Sequence, residues 1–218
     1  YPLRRQRQMC IRDSPNIVVT GTPGTGKSTL SGQICETFAL ADGRHPMRHI
    51  NAGPLAIQKH FVASRDAEWD SVEVDEDALL DYLEPMSGGV APDPLEEDPE
   101  GCAQARDVPL DCDTRGGLVL DWHTCDAWPE RWVDLVVVLR CNHELIWKRL
   151  EKRHYSEKKI AENNEAEIMG VVEDEARSAY PQEAIIVLPS ETSDQLESHA
   201  ERIVAWIHAW RQQRGLES

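Results

Sequence analysis

Residues 18–30 read VVTGTPGTGKSTL, placing three glycines and a proline directly behind an apolar run. Both residue types weaken an ordinary helix or strand, so the stretch is expected to be a loop whose task offsets that penalty. Gly21 to Ser28 fits G-x-x-x-x-G-K-[ST] at every fixed position, in the strand-before, helix-after context that the motif requires. The apolar NIVVT at 16–20 supplies the strand, and Leu30, Ile34 and Phe38 share one face of a helix over 27–40. In such a loop the glycines let backbone N–H groups turn inward around phosphate oxygens, and the helix beginning at Lys27 adds its positive end. The spacing assigns Gly24, Thr25, Gly26, Lys27, Ser28 and Thr29 to a phosphate site. Lys27 would reach the β/γ-phosphates of ATP and the Ser28 hydroxyl would ligate Mg²⁺.

The rest of the chain alternates strands and helices. MRHIN at 47–51 is a candidate second strand, with a weak helix from about Leu55. VDEDALLDYLEPM predicts a helix of about three turns, capped by Asp75 and stopped by Pro85. GLVLDW at 117–122 and DLVVVLR at 134–140 are apolar without alternation, as expected of parallel strands covered on both faces. Helices are expected at 142–153, at roughly 156–179 with Ile160, Ile168, Val172 and Ala176 inward, and at about 193–212 with Ser193 as cap. The strand EAIIVLP precedes the last of these. Five strands alternating with helices predict an α/β fold with a parallel sheet and right-handed crossovers. Residues 86–115 turn to Gly, Pro and acid with few large apolar side chains, which predicts a disordered acidic insertion.

With 218 residues the chain suits one domain over 15–218. The segment 1–14, YPLRRQRQMCIRDS, lacks the apolar centre of an export signal. It is expected to lie outside the fold, and its MCIRDS reads as non-native. No apolar run approaches membrane-spanning length, so the composition reads as that of a soluble chain without a membrane partner. Six cysteines form no CxxC pair and no zinc-ligand cluster, as expected of reduced intracellular thiols. The 39 acidic and 23 basic residues leave a net charge of -16, which repels nucleic acid and favours basic protein partners. The tryptophans from Trp122 to Trp210 fall largely on apolar faces with no basic groove beside them, so no nucleic-acid site is assigned.

Asp121 closes the strand in GLVLDW, at the carboxyl edge where such sheets bind ligands, and is the candidate second Mg²⁺ group; a loop or cap acid is the alternative. Arg149 and Arg153 stand one helical turn apart and could neutralise charge on a transferring phosphoryl group, or could be surface residues paired with Glu144 or Glu151. His123 lies two residues past Asp121, where a histidine either orients water or is a hydrogen-bonded core residue.

Taken together, GTPGTGKST, DWHTCDAWPERWVDLVVVLRC, LEKRHYSEKKIAENNEAEIM and the terminal IVAWIHAW resemble the adenylate kinase isoenzyme 6 family over essentially Pro15 to Leu216. Ordinary adenylate kinases do not share Asp121-Trp122-His123, Cys125-Asp126 or Pro129-Glu130-Arg131-Trp132. The resemblance implies a P-loop NTPase three-layer sandwich with a five-stranded parallel sheet, like a nucleoside monophosphate kinase with a short lid. It implies a monophosphate-binding arm at about 51–74, a lid at about 152–162, ATP and Mg²⁺ as cofactors, and a role for His123 in ATP hydrolysis. It also implies action in small ribosomal subunit maturation, in nucleus and cytoplasm.

Asn51 and Gly53 fit the arm as acceptor-binding residues, but Pro54 replaces a usual Asp and Ile57 stands where a basic side chain is expected. His154 replaces a usual glycine, and Lys158 and Lys159 stand in place of a second arginine pair. The reading is a monomeric Mg²⁺-dependent adenylate kinase with ATPase activity, using Lys27, Asp121, His123, Arg149 and Arg153 in catalysis and Arg153 also on ATP. A basic small-subunit ribosomal protein and the pre-ribosome are the expected partners. An ATP-gated assembly factor with incidental kinase turnover is the alternative, and a small-metabolite kinase is a further one.

Overall fold

The computed structural model describes residues 12–41, 47–66, 71–88 and 116–216. In chain order its elements are β1 (Ile17–Gly21), α1 (Lys27–Ala41), β2 (Arg48–Asn51), α2 (Ala52–Lys59), β3 (Val62–Asp66), β4 (Ser71–Val74) and α3 (Glu76–Leu83). Then follow β5 (Leu118–Asp121), β6 (Leu135–Arg140), α4 (His143–Glu151), α5 (Glu157–Met169), α6 (Val171–Ala179), β7 (Ile185–Pro189) and α7 (Ser193–Gln213). Five strands form one sheet in the order β2-β5-β1-β6-β7, and every pairing is parallel. β1 is therefore central, and all five carboxyl ends share one edge.

The non-alternating apolar runs have the expected cause. Ile17, Val19, Val119, Leu135, Val137 and Leu139 pack on one face with Leu30, Ile34 and Phe38 of α1 and Leu196, Ile203, Val204 and Ile207 of α7. Val18, Leu118, Leu120, Val136 and Val138 pack on the other with α3, α6 and the tryptophans of the β5–β6 connection. Trp128 and Trp132 are each only 2% exposed, so these aromatics are core rather than base-stacking platforms. The Tyr180 hydroxyl, 2.5 Å from the Cys125 carbonyl and 2.8 Å from that of Trp128, pins the same connection.

Several expectations change at element ends. The helix expected over 156–179 breaks at Gly170, whose φ of 74° ends α5 and starts α6. Ile168, expected inward, is exposed, and the buried face of α5 is formed by Ile160, Asn164 and Glu167. α7 is capped by Thr192 rather than Ser193, because Thr192 and Gln195 form a reciprocal capping box. α2 starts at Ala52, and α3 is shorter than three turns because Glu84–Met86 tightens into a 3-10 turn. β3 and β4 form an antiparallel hairpin beside the main sheet that the sequence reading did not separate from the arm.

Most of the expected insertion, like residues 1–11, lies outside the described residues. Its first residues do not behave as an insertion, since Met86 and Ser87 are buried. Nor is the expected arm wholly outside the fold. Arg12 donates to the Trp132 carbonyl at 2.6 Å and pairs with Asp134 at 3.0 Å, and Ser14 bridges to Gly116.

Asn16 ties these pieces together. It is fully buried. Its Nδ2 donates to the carbonyls of Ser87 (2.8 Å) and Trp132 (2.9 Å), and its Oδ1 accepts the Leu118 N–H at 3.1 Å. One amide thus joins both flanks of the 89–115 segment to the base of β1, assisted by the Gly116 N–H on the Met86 carbonyl. Asn16→Ala leaves the Ser87 carbonyl and the Leu118 N–H without this partner, while the Trp132 carbonyl keeps Arg12, and is expected to lower the free energy of unfolding by about 3 kcal/mol in urea titration. A loss under about 1 kcal/mol would contradict this anchoring role.

Candidate functional site: the phosphate loop and its surroundings

β1 ends in register with Leu139 at Gly21, and α1 starts at Lys27, so the chain has five residues in which to turn through the loop. It does so with Gly24 and Gly26 at φ of +94° and +95°, left-handed conformations in which a Cβ is strained. The Thr22 carbonyl is the inner hub, accepting the Thr25 N–H at 3.2 Å and the Thr25 hydroxyl at 2.8 Å. Lys27 Nζ donates to the carbonyls of Gly21 (2.8 Å) and Thr22 (3.3 Å), so its ammonium is held within the loop. Burial pushes its pKa down to about 8, with Arg153 adding to the shift while Asp121 and Glu167 oppose it. Thr25, expected to bind phosphate, directs both its donors at the loop itself.

At the first turn of α1 the Ser28 hydroxyl donates to Asp121 Oδ2 at 2.5 Å. Register explains the meeting: Asp121 is the last residue of β5, beside Val19 on one neighbour and Asn51 on the other. Asn51 Nδ2 lies 3.2 Å from both Ser28 Oγ and Asp121 Oδ2. His49 Nε2, a residue the sequence reading missed, lies 3.2 Å from the same carboxylate oxygen. Asn51 holds the N-cap position of α2 but makes no capping hydrogen bond, because its side chain serves this cluster instead. Ser28 and Asp121 are hard oxygen donors side by side at a helix start, a donor set that suits Mg²⁺. Gly53 lies apart, in the first turn of α2, with open space where a Cβ would stand apart from Asn51 Oδ1 at 4.0 Å.

The two arginines border one cleft but differ in what they hold. Arg149 donates Nη1 to the carbonyls of Gly24 (3.0 Å) and Ser190 (3.2 Å) and Nη2 to that of Glu191 (2.9 Å), clamping the phosphate loop to the β7–α7 turn. Its fork is directed at these backbone oxygens and not at Glu144 or Glu151, the carboxylates of the alternative expected from sequence. Arg153 lines, together with Arg149, Gly24, Gly26, Thr29, Lys152 and Thr192, a cleft of about 470 Å³. The following His154 holds a φ of +60°, the left-handed conformation in which a glycine would be unstrained.

His123 sits with its ring edge-on to Trp122, and its carbonyl accepts the Thr20 hydroxyl at 3.2 Å. Loss of hydration around the ring pushes its pKa down, and the positive charges of Lys27 and Lys159 add to the shift. A second missed residue is Glu167, 4% exposed, whose carboxylate accepts the Thr22 hydroxyl at 2.6 Å. Its signal was present: Ile160, Asn164 and Glu167 share the buried face of α5, and an acid in that stripe needs a partner.

A pair of glycine substitutions tests this geometry. A Cβ on Gly26 would meet Ser190 Oγ at 3.2 Å and Leu196 Cδ1 at 3.3 Å, whereas one on Gly32, within α1, meets nothing. Gly32→Ala is expected to raise stability by about 0.5–1 kcal/mol through helix propensity. Gly26→Ala is expected to lower it by more than about 1 kcal/mol. Urea unfolding of both variants checks the sign of each.

The sequence matches the family model described as AAA domain over residues 17–170. It is 39% identical over 200 residues to the adenylate kinase isoenzyme 6 homolog of Schizosaccharomyces pombe, covering 92% of this chain and 95% of that protein. The Caenorhabditis elegans homolog is 38% identical over 206 residues, covering 94% and 96%. Among solved structures, a shikimate kinase from Bacteroides thetaiotaomicron superposes with a TM-score of 0.51 at 11% identity, covering 89% of this chain and 98% of that one, a likeness of fold alone. With relatives of this identity spanning nearly their whole length, the chain belongs to the adenylate kinase isoenzyme 6 family.

Proposed function

We infer that this P-loop nucleotide kinase transfers the γ-phosphoryl group of ATP to AMP, giving two ADP, and hydrolyses ATP when water takes the acceptor's place. The observation that carries the reading is the Ser28–Asp121 hydrogen bond at the carboxyl edge of the central strands, with the Lys27 ammonium held in the adjoining loop. In the transfer, an AMP phosphate oxygen bonds to the γ-phosphorus as the β,γ-bridging bond breaks, and ADP leaves. The protein supplies no nucleophile, so catalysis rests on placement and on positive charge where negative charge builds. Lys27 exchanges the loop carbonyls for phosphate oxygens. Loop amides and the start of α1 cradle the remaining oxygens. Mg²⁺, held by Ser28 and Asp121 when bound, neutralises phosphate charge. Asn51 and His49 keep Asp121 oriented, Arg153 faces the cleft, and neutral His123 can accept a hydrogen bond from a water near the loop. Arg149 acts indirectly, by fixing the loop backbone.

The acceptor side favours a second reading. Ile57, where a basic side chain was expected, is 48% exposed on α2, and Pro54 occupies that helix's first turn. Together with the net charge of -16, this supports an ATP-gated factor that grips a basic small-subunit ribosomal protein during pre-ribosome maturation, in nucleus and cytoplasm, with kinase turnover incidental.

Product analysis with ATP alone, ATP plus AMP, and ATP plus a purified small-subunit ribosomal protein separates the two. AMP-dependent ADP formation supports the kinase reading, and stimulation by the basic protein supports the gated factor. Lys27→Ala is expected to lower kcat/KM for ATP by about 10³-fold under all three conditions, and retained turnover would contradict the site. His123→Ala should depress hydrolysis more than AMP phosphorylation, and equal losses would argue against a water-orienting role.

A further inference from the structure

The buried carboxylate of Glu167 divides its two oxygens between two parts of the fold. Oε1 accepts the Arg140 Nε–H at 2.9 Å and the Cys141 N–H at 2.9 Å, both at the carboxyl end of β6. Arg140 also donates Nη2 to the Glu167 carbonyl and Nη1 to Glu173 of α6, each at 2.8 Å. Those contacts alone dock α5 on the sheet and balance the buried charge. Oε2 is directed elsewhere, to the Thr22 hydroxyl. Thr22 is the residue whose carbonyl gathers the Thr25 N–H, the Thr25 hydroxyl and the Lys27 ammonium. The curvature of the loop is thus organised around one residue, fixed from outside by a side chain on another helix.

We propose that Glu167 is a positioning residue for nucleotide binding: through the Thr22 hydroxyl it holds the phosphate loop in register with α5. The inference rests on the loop being the ATP site. A loop whose first turn is held in advance loses less conformational freedom when phosphate enters, so the bond acts on affinity for ATP. It also ties nucleotide binding to the seating of α5, and so to the segment carrying Arg153 and His154 between α4 and α5.

The test is equilibrium binding of a non-hydrolysable ATP analogue, with KM for ATP, on wild type, Lys27→Ala, Thr22→Val, Thr22→Ser, Glu167→Gln and the Thr22→Val/Glu167→Gln double variant, all well below their unfolding midpoints. Thr22→Val and Glu167→Gln are each expected to weaken binding and raise KM for ATP about tenfold. The double variant should be no weaker than the poorer single, since both remove one interaction. Thr22→Ser keeps the hydroxyl and should stay within about twofold of wild type. Wild-type affinity in the single variants, additive losses in the double, or a loss in Thr22→Ser equal to that in Thr22→Val would each overturn the proposal. Should Glu167→Gln not fold, the two Thr22 variants carry the test, because they leave the Arg140–Glu167 pair intact. A wild-type protein that fails to bind the analogue overturns the ATP reading itself. Binding lost in Lys27→Ala but kept in the Thr22→Val and Glu167→Gln variants overturns only the role given to Glu167.

Discussion

The site depends on a close approach that only glycine permits. A Cβ on Gly21 would stand 2.6 Å from the Leu139 carbonyl oxygen and 2.9 Å from Thr25 Oγ1. Because Gly21 lacks one, β1 stays paired with β6 to its last residue and the chain turns into the loop at once. From there the loop is supported on its outside. Leu150 and Ile146 of α4 pack against Gly24, Arg149 holds the Gly24 carbonyl, and the Ser190 hydroxyl donates to the Thr25 carbonyl. Each support comes from an element placed by the parallel sheet, so the fold and the loop are one construction rather than a motif set on a scaffold.

What was legible in the sequence was whatever periodicity and local motif express. Non-alternating apolar runs marked β1, β5 and β6 because burial on both faces leaves no polar position to alternate with, and the glycine spacing marked the loop because positive φ restricts residue choice. Asp121 could be found from its place at a strand end. Contacts between elements distant in the chain were not legible. Glu167 meets Thr22 across 145 positions, and Asn16 looked like the polar start of a strand although it binds Ser87, Leu118 and Trp132. Arg149 and Arg153 both line the cleft, yet only tertiary packing decides that Arg149 also holds the backbone carbonyls of Gly24, Ser190 and Glu191. The break at Gly170 was missed because apolar periodicity runs on through it in the sequence, and the left-handed glycine only re-aims it.

Electrostatics separate the site from the rest of the surface. A chain of net charge -16 repels polyanions at long range, but screening confines that field to about 10 Å at ordinary ionic strength. Within that distance the cleft presents Lys152 and Arg153 beside the loop, and Lys27 inside it. The cationic donors at the loop are therefore a local departure from the chain's net negative charge. The two fields act at different ranges and do not compete.

Asp121 shows how a single carboxylate is prepared for this work. It is 2% exposed, and the Ser28 hydroxyl, the Asn51 amide and the His49 ring all converge on its Oδ2. A buried carboxylate with one neutral donor would be poorly compensated for lost hydration. Three donors from α1 and β2 fix its orientation and keep a negative pole at the strand edge. The same three groups connect the first turn of α1 to β2, the strand that leads into α2 through Asn51. A displacement of either element is felt at one oxygen atom, so α1 and β2 are mechanically coupled through Asp121.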